Sequence, residues 1–176
     1  FTFLKAKGYN VGNSLVEKDM IEEATFILNE SKNSNTEILL PLDIICAETF
    51  SNDTRSKCRL VSEIKENEMG LDIGSETITN FINIIKDNST VIWNGPMGVF
   101  EMDSFKIGTD KLAKNISGLT KNSSLISVVG GGDTASAVIS LGIESSFTHV
   151  STGGGASLQL LSGLKLKLFE SWEKYE

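Results

Sequence analysis

Apolar residues fall in two alternating rhythms along the chain. Residues 125–129, LISVV, form a short aliphatic run entered through Ser124 and bounded by Gly130, Gly131 and Gly132. That pattern predicts a buried strand. DTASAVISLG follows, with Ala135, Val138 and Ile139 at helical spacing, Asp133 placed to cap and Gly142 to close. Residues 147–150 predict another short strand. It leads into Ser151-Thr152-Gly153-Gly154-Gly155-Ala156 and a helix carrying Leu158, Leu160 and Leu161, with Gly163 after it.

The upstream chain continues the alternation. Residues 1–15 read as a helix remnant and a loop. Asp19 and Glu22 have the spacing of a capping box. Met20, Ile21, Ala24, Ile27 and Leu28 mark one face of a helix ending near Asn33. Residues 38–40 and 43–47 predict strands parted at Pro41. Residues 51–69 are polar and predict a surface excursion with one strand around 58–61. Residues 70–74 predict a loop into Ser75 as N-cap, and Ile78, Phe81, Ile82 and Ile85 make the next helix amphipathic. Residues 90–93 predict a buried strand, and 104–116 a helix with Phe105, Leu112 and Ile116 inward. LKLKLFESWEKYE alternates and then turns helical through Leu168, Phe169, Trp172 and Tyr175. Strands alternating with helices predict an α/β fold: a Rossmann-like three-layer α/β/α domain with a mainly parallel sheet. Such a sheet binds ligand at the carboxyl ends of its strands.

A strand, glycines and a helix start form an anion site, because glycine lets the backbone approach and first-turn N–H groups point outward. Two such mouths predict a ligand with several phosphates, or a phosphoryl group passed between anchors. An acidic Asp133 at one mouth fits a divalent cation held between carboxylate and phosphate. The net charge of −7 argues against nonspecific nucleic-acid or anionic-membrane binding. Any phosphate site must therefore rest on backbone amides, a metal and a few lysines.

The 176 residues match one domain by length. Cys46 and Cys58 have neither metal-ligand nor disulfide-framework spacing, which predicts a reducing, cytoplasmic compartment. No apolar run reaches membrane length and no signal peptide is evident. The chain begins with Phe1 and reads as cut from something longer.

GGGDTA fits the G-x-G-x-x-A form of the dinucleotide fingerprint. The acidic residue such a site needs about 20 positions on is missing, and His149 and Ser151 stand there instead. The Walker pattern is absent too. A dehydrogenase and a P-loop NTPase both fit poorly. WNGPMGVFE follows a strand; Phe100 offers an apolar surface and Glu101 a partner for ribose hydroxyls, as an adenosine pocket needs. His149, the single histidine, reads as structural beside a strand.

FTFLKAKGYNVGNSLVE, MGLDIGSET, VIWNGPMGVFE, VVGGGDTASAV and HVSTGGGASLQLLSG stand in this order from Phe1 to about Gly163. In order and spacing they resemble the C-terminal, nucleotide-binding half of phosphoglycerate kinase. The resemblance implies phosphoryl transfer between 1,3-bisphosphoglycerate and MgADP, giving 3-phosphoglycerate and MgATP. It implies an adenine slot of Leu15, Gly70 and Leu71, faced by Gly95, Pro96, Val99 and Phe100. It further implies Glu101 on the ribose, Asn94, Gly131, Gly132 and Thr134 on the nucleotide phosphates, and Asp133 on magnesium. Gly153, Gly154 and Gly155 resemble the helix mouth that stabilises the phosphoryl group in flight, with Ser151 and Thr152 near an interdomain hinge. The parent is expected to be a cytoplasmic monomer.

The chain departs from the family pattern in places. The basic N-terminal domain that holds the sugar acid and the glycine-lysine segment that reaches the phosphates are not in it. After Gly163 it runs Leu164-Lys165-Leu166-Lys167-Leu168, without the family's proline and glycine. The fragment alone is therefore expected to be inactive. The rival expectation is a noncatalytic nucleotide-binding or interaction module.

Overall fold

A computed structural model describes residues 1–163 of the chain. The expected C-terminal helix through Leu168, Phe169, Trp172 and Tyr175 lies outside the described residues. The chain divides into two compact units. The first takes Phe1–Phe81 and Met97–Gly108; the second takes Ile82–Pro96 and the chain from Thr109 onward.

In the first unit, helix α1 (Thr2–Ala6) is the expected remnant, and helix α2 spans Ile21–Glu30. The capping box does not form. Asp19 lies inside a 3₁₀ turn, Lys18–Met20, and Met20 occupies the N-cap of α2 with no side-chain bond. Of the expected apolar face only Ala24 is buried, while Met20 and Ile27 are exposed. Residues 38–40 are not a strand, whereas strand β1 (Asp43–Ala47) has the expected bounds. Strand β2 (Ser56–Leu60) is the predicted strand of the excursion. Residues 70–74 are not a loop: Met69–Ile73 forms strand β3, with Leu71, Asp72 and Ile73 buried. Its glycine misleads a local reading, because Gly70 makes room for the Phe1 ring rather than for a turn.

The sheet of this unit is antiparallel, in the order β2-β1-β3, with a bulge between Ile45 and Cys46. The mainly parallel arrangement expected from the alternation holds only in the second unit. Leu71, Ala47 and Phe105 form a buried cluster with Ile45, Met69, Val99 and Met102 against it.

Two strand carboxylates do the work of helix caps. Helix α3 begins at Ser75 and runs Ser75–Lys86. The carboxylate of buried Asp43, on β1, accepts the amides of Glu76 at 3.1 Å and Thr77 at 2.8 Å, and the Thr77 hydroxyl at 2.7 Å. Helix α4 (Ile107–Asn122) follows a 3₁₀ turn, Asp103–Phe105. Buried Asp72, on β3, accepts the Gly108 amide at 2.7 Å. A carboxylate at an exposed helix start satisfies free N–H groups and meets the positive end of the dipole. Phe105, Leu112 and Ile116 are buried as predicted.

The second unit holds a parallel three-stranded sheet flanked by helices, in the order β4-β5-β6. Strand β4 is Thr90–Asn94, β5 is Ile126–Gly130 and β6 is His149–Ser151. β4 is less buried than its apolar run predicts. Only Trp93 is buried, because β4 stands at the sheet edge. β5 lies in the middle, with Val129 fully buried. Helix α5 (Gly132–Ser140) follows β5, and helix α6 (Gly154–Leu161) follows β6. On α5, Thr134, Ala135, Ala137 and Val138 are buried, while Ile139 is about half exposed (51%), contrary to its expected inward face. Gly142 closes α5 with φ +65°.

Candidate functional site

The parallel register puts Asn94 opposite Gly130, and Gly130 opposite Ser151. The three strands thus end at one level. There WNGP, GGGD and STGGG emerge side by side at the carboxyl edge, the expected ligand edge of a parallel sheet.

The two glycine-rich mouths touch. A Cβ on Gly154 would meet the Cα of Gly131 at 2.7 Å, a contact real side chains do not make. The Asn94 Oδ1 lies 3.7 Å from the same point and 3.1 Å from a Cβ built on Gly131. Asn94 therefore stands where both helix starts meet. Gly131 is the N-cap of α5 with φ +95°, a conformation glycine adopts without cost. The first helical bond of α5 runs from the Ala135 amide to the Gly131 carbonyl at 2.9 Å. The amides of Gly132, Asp133 and Thr134 precede it, and these are the groups a helix start offers to an anion.

Asp133 is not the N-cap the sequence predicts. It lies in the first turn, one residue past the helix start, and is exposed. Its carboxylate therefore does not occupy the N-cap position. Among the described residues no group of three or more His, Cys, Asp or Glu side chains could hold a metal. A single exposed carboxylate beside a glycine-rich helix start fits magnesium that arrives with phosphate oxygens and water, since that ion needs only one or two carboxylates.

Thr134 carries a role no local pattern shows. It is buried, and its Oγ1 accepts the Gly95 amide at 2.7 Å. The hydroxyl retains one proton to donate elsewhere. The Trp93 indole N–H donates to the Gly95 carbonyl at 2.8 Å, so both backbone polar groups of Gly95 are tied. Pro96 follows, half-buried. In the third loop the Gly153 amide donates to Ser151 Oγ at 3.3 Å, and Thr152, Gly153 and Gly155 are exposed. His149 is exposed on β6.

The remaining predicted residues belong to the first unit. Leu15 is 87% exposed. Gly70 donates its amide to Ser14 Oγ at 2.9 Å. The Leu71 side chain is committed to the core, and its carbonyl accepts the Val99 amide at 2.9 Å. Val99 and Phe100 are half-buried and Glu101 is exposed. The β3 edge thus carries Gly70 and Leu71 and meets the segment bearing Val99.

Neither cysteine is poised as a nucleophile. Burial pushes the Cys46 thiol up to about 12, and burial with a bond to Asp43 also raises Cys58. No helix among the described residues is long and apolar enough to cross a membrane.

A family model described as phosphoglycerate kinase matches residues 1–164. The chain is 49% identical over 166 residues to phosphoglycerate kinase of Chloroherpeton thalassium, covering 94% of this chain and 42% of that protein. It is 51% identical to the enzyme of Nautilia profundicola, covering 94% and 41%. The phosphoglycerate kinase structure from Coxiella burnetii superposes with a TM-score of 0.87 at 35% identity, over 93% of this chain and 41% of that one. The chain thus spans about two-fifths of the length of these relatives. It belongs to the phosphoglycerate kinase family.

Proposed function

We propose that this chain is the nucleotide-binding part of an enzyme that moves a phosphoryl group between 1,3-bisphosphoglycerate and MgADP. The observation that carries the reading is the meeting of the two helix mouths, with Gly131 and Gly154 in backbone contact beside Asn94. Phosphoryl transfer asks little covalent chemistry of a protein; it asks for positioning and for stabilisation of spread negative charge. The α5 start, with Gly131, Gly132 and Thr134, holds the nucleotide phosphates. The α6 start, with Gly153, Gly154 and Gly155, offers amides to the group in transit. Thr152 and Ser151 link that mouth to β6.

Asp133 would hold magnesium, which would supply charge neutralisation to the nucleotide phosphates. By the family resemblance, Leu15, Gly70 and Leu71 take the adenine with Gly95, Pro96, Val99 and Phe100 as the other wall, and Glu101 accepts from the ribose hydroxyls. The sugar acid is held by a part of the protein outside this chain. The free thiols suit a cytoplasmic protein.

A coupled assay tests this. The full-length protein consumes MgATP in the presence of 3-phosphoglycerate, whereas residues 1–176 alone do not. Robust 3-phosphoglycerate-dependent consumption by the isolated chain would contradict the division of labour. None by the full-length protein would contradict the activity.

A further inference from the structure

Leu15 is 87% exposed, and the loop that presents it is held in place by groups outside it. The loop before it is tied by its backbone. The Asn13 amide donates to the Glu68 carbonyl at 2.8 Å, and Asn10 Nδ2 to the Ile64 carbonyl at 3.1 Å. Gly12, at φ +56°, presses on the carbonyls of Lys65 and Glu68 so closely that any Cβ would overlap both. On the far side, Ser14 Oγ accepts the Gly70 amide.

Two of these ties, at Gly12 and Asn13, depend on the shape of the turn from Lys65 to Glu68, and Asn10 is held at Ile64 just before it. That turn has one internal backbone bond, from the Glu68 amide to the Lys65 carbonyl at 3.1 Å. What pins it is a fork. Arg59, on β2, donates through Nε at 3.0 Å and through a terminal nitrogen at 2.7 Å to the two carboxylate oxygens of Glu68. The Glu68 side chain is only 5% exposed. A buried carboxylate stays where its partner holds it, and without that partner it must move to water or take up a proton. Either change reshapes the turn whose carbonyls hold Gly12 and Asn13.

We infer that the Arg59–Glu68 pair is a positioning device: acting through the 65–68 turn, it presents Leu15 as a pre-set apolar platform for the adenine ring. This rests on the proposed nucleotide site. Arg59 and Glu68 touch no ligand; they set the loop that does. Preorganisation raises affinity by removing the cost of ordering the loop on binding. Phosphate affinity, which belongs to the α5 and α6 starts, is independent of the pair.

The test uses the full-length protein and isothermal calorimetry with MgADP. Arg59→Met weakens MgADP binding about tenfold, and hydrogen exchange speeds up at Asn13 and Gly70 while α5 amides keep wild-type protection. The double swap Arg59→Glu with Glu68→Arg recovers most of the affinity. If Arg59→Met fails to fold, Arg59→Lys takes its place: it keeps the charge but loses the two-pronged fork, and it shows a smaller loss of affinity with faster exchange at Asn13. A folded Arg59→Met, or Arg59→Lys in its place, that binds MgADP like wild type overturns this inference and leaves the nucleotide site standing. A wild-type protein that does not bind MgADP overturns the nucleotide site itself, and this inference with it.

Discussion

The Gly95 amide donates to the Thr134 hydroxyl at 2.7 Å, joining the end of β4 to the first turn of α5. The bond fixes the path of the chain as it leaves the sheet edge, and with it the approach of Asn94 to Gly131. Thr134→Val keeps the volume and removes the acceptor. It leaves a half-buried N–H unpaired, which costs about 1–3 kcal/mol. Urea denaturation of the full-length protein should show that loss, and MgADP affinity should fall with it. Unchanged stability would mean that water replaces the hydroxyl and the bond has no structural role.

Gly154 and Gly155 are adjacent in α6 and should respond oppositely to alanine. At Gly154 the added methyl meets the backbone of Gly131, and no side-chain movement relieves that contact. At Gly155 it meets nothing within 4 Å. Gly155→Ala should be neutral or stabilising by up to about 1 kcal/mol, the helix propensity difference. Gly154→Ala should lower the melting temperature and separate the two mouths, weakening MgADP binding. Melting curves of both variants check this; equal melting temperatures would contradict the observed contact.

Asp43 gives a pH prediction. Burial pushes its carboxyl up, but the bonds from Thr77, Glu76 and Cys58 together outweigh burial and hold it below the ordinary carboxylate range. A folded value below the unfolded one means the unfolded chain binds protons first as pH falls. The stabilisation is therefore fully present above the unfolded value, about 3.9, and is lost as pH drops through the folded value. Asp43→Asn should destabilise clearly near neutral pH, and the gap from wild type should close in acid. Glu68, lowered by its Arg59 partner, adds loss in the same direction. Denaturation curves for both proteins across the acid range decide it. A gap that stays constant with pH would remove Asp43 as a charged cap.

Much of the second unit was legible in the sequence because its signals are local. Glycine triplets after short apolar runs mark β5 and β6, and the apolar spacing of α4 predicts Leu112 and Ile116 inward. The first unit was less so. Met69–Ile73 reads as a loop because Gly70 and Gly74 flank its apolar centre, yet sheet pairing with β1 overrides that preference. The caps of α3 and α4 come from Asp43 and Asp72, on strands far away in sequence, so no short motif could reveal them. The failed capping box at Asp19 is the converse case: a local pattern with no tertiary support. The partners Arg59 and Glu68 are nine residues apart across a turn, a spacing that carries no signal of its own.

The central claim is that the start of α5 holds nucleotide phosphates through magnesium on Asp133. Asp133 is exposed in the first turn and is not the cap, so Asp133→Asn removes the charge a metal needs with little effect on the fold. The measurement is the steady-state rate of the full-length protein against magnesium concentration, for wild type and Asp133→Asn, with stability checked by denaturation. The account predicts a stably folded variant whose turnover is lower by orders of magnitude, with adenosine binding nearly intact. Wild-type turnover with wild-type magnesium dependence in the variant would contradict it.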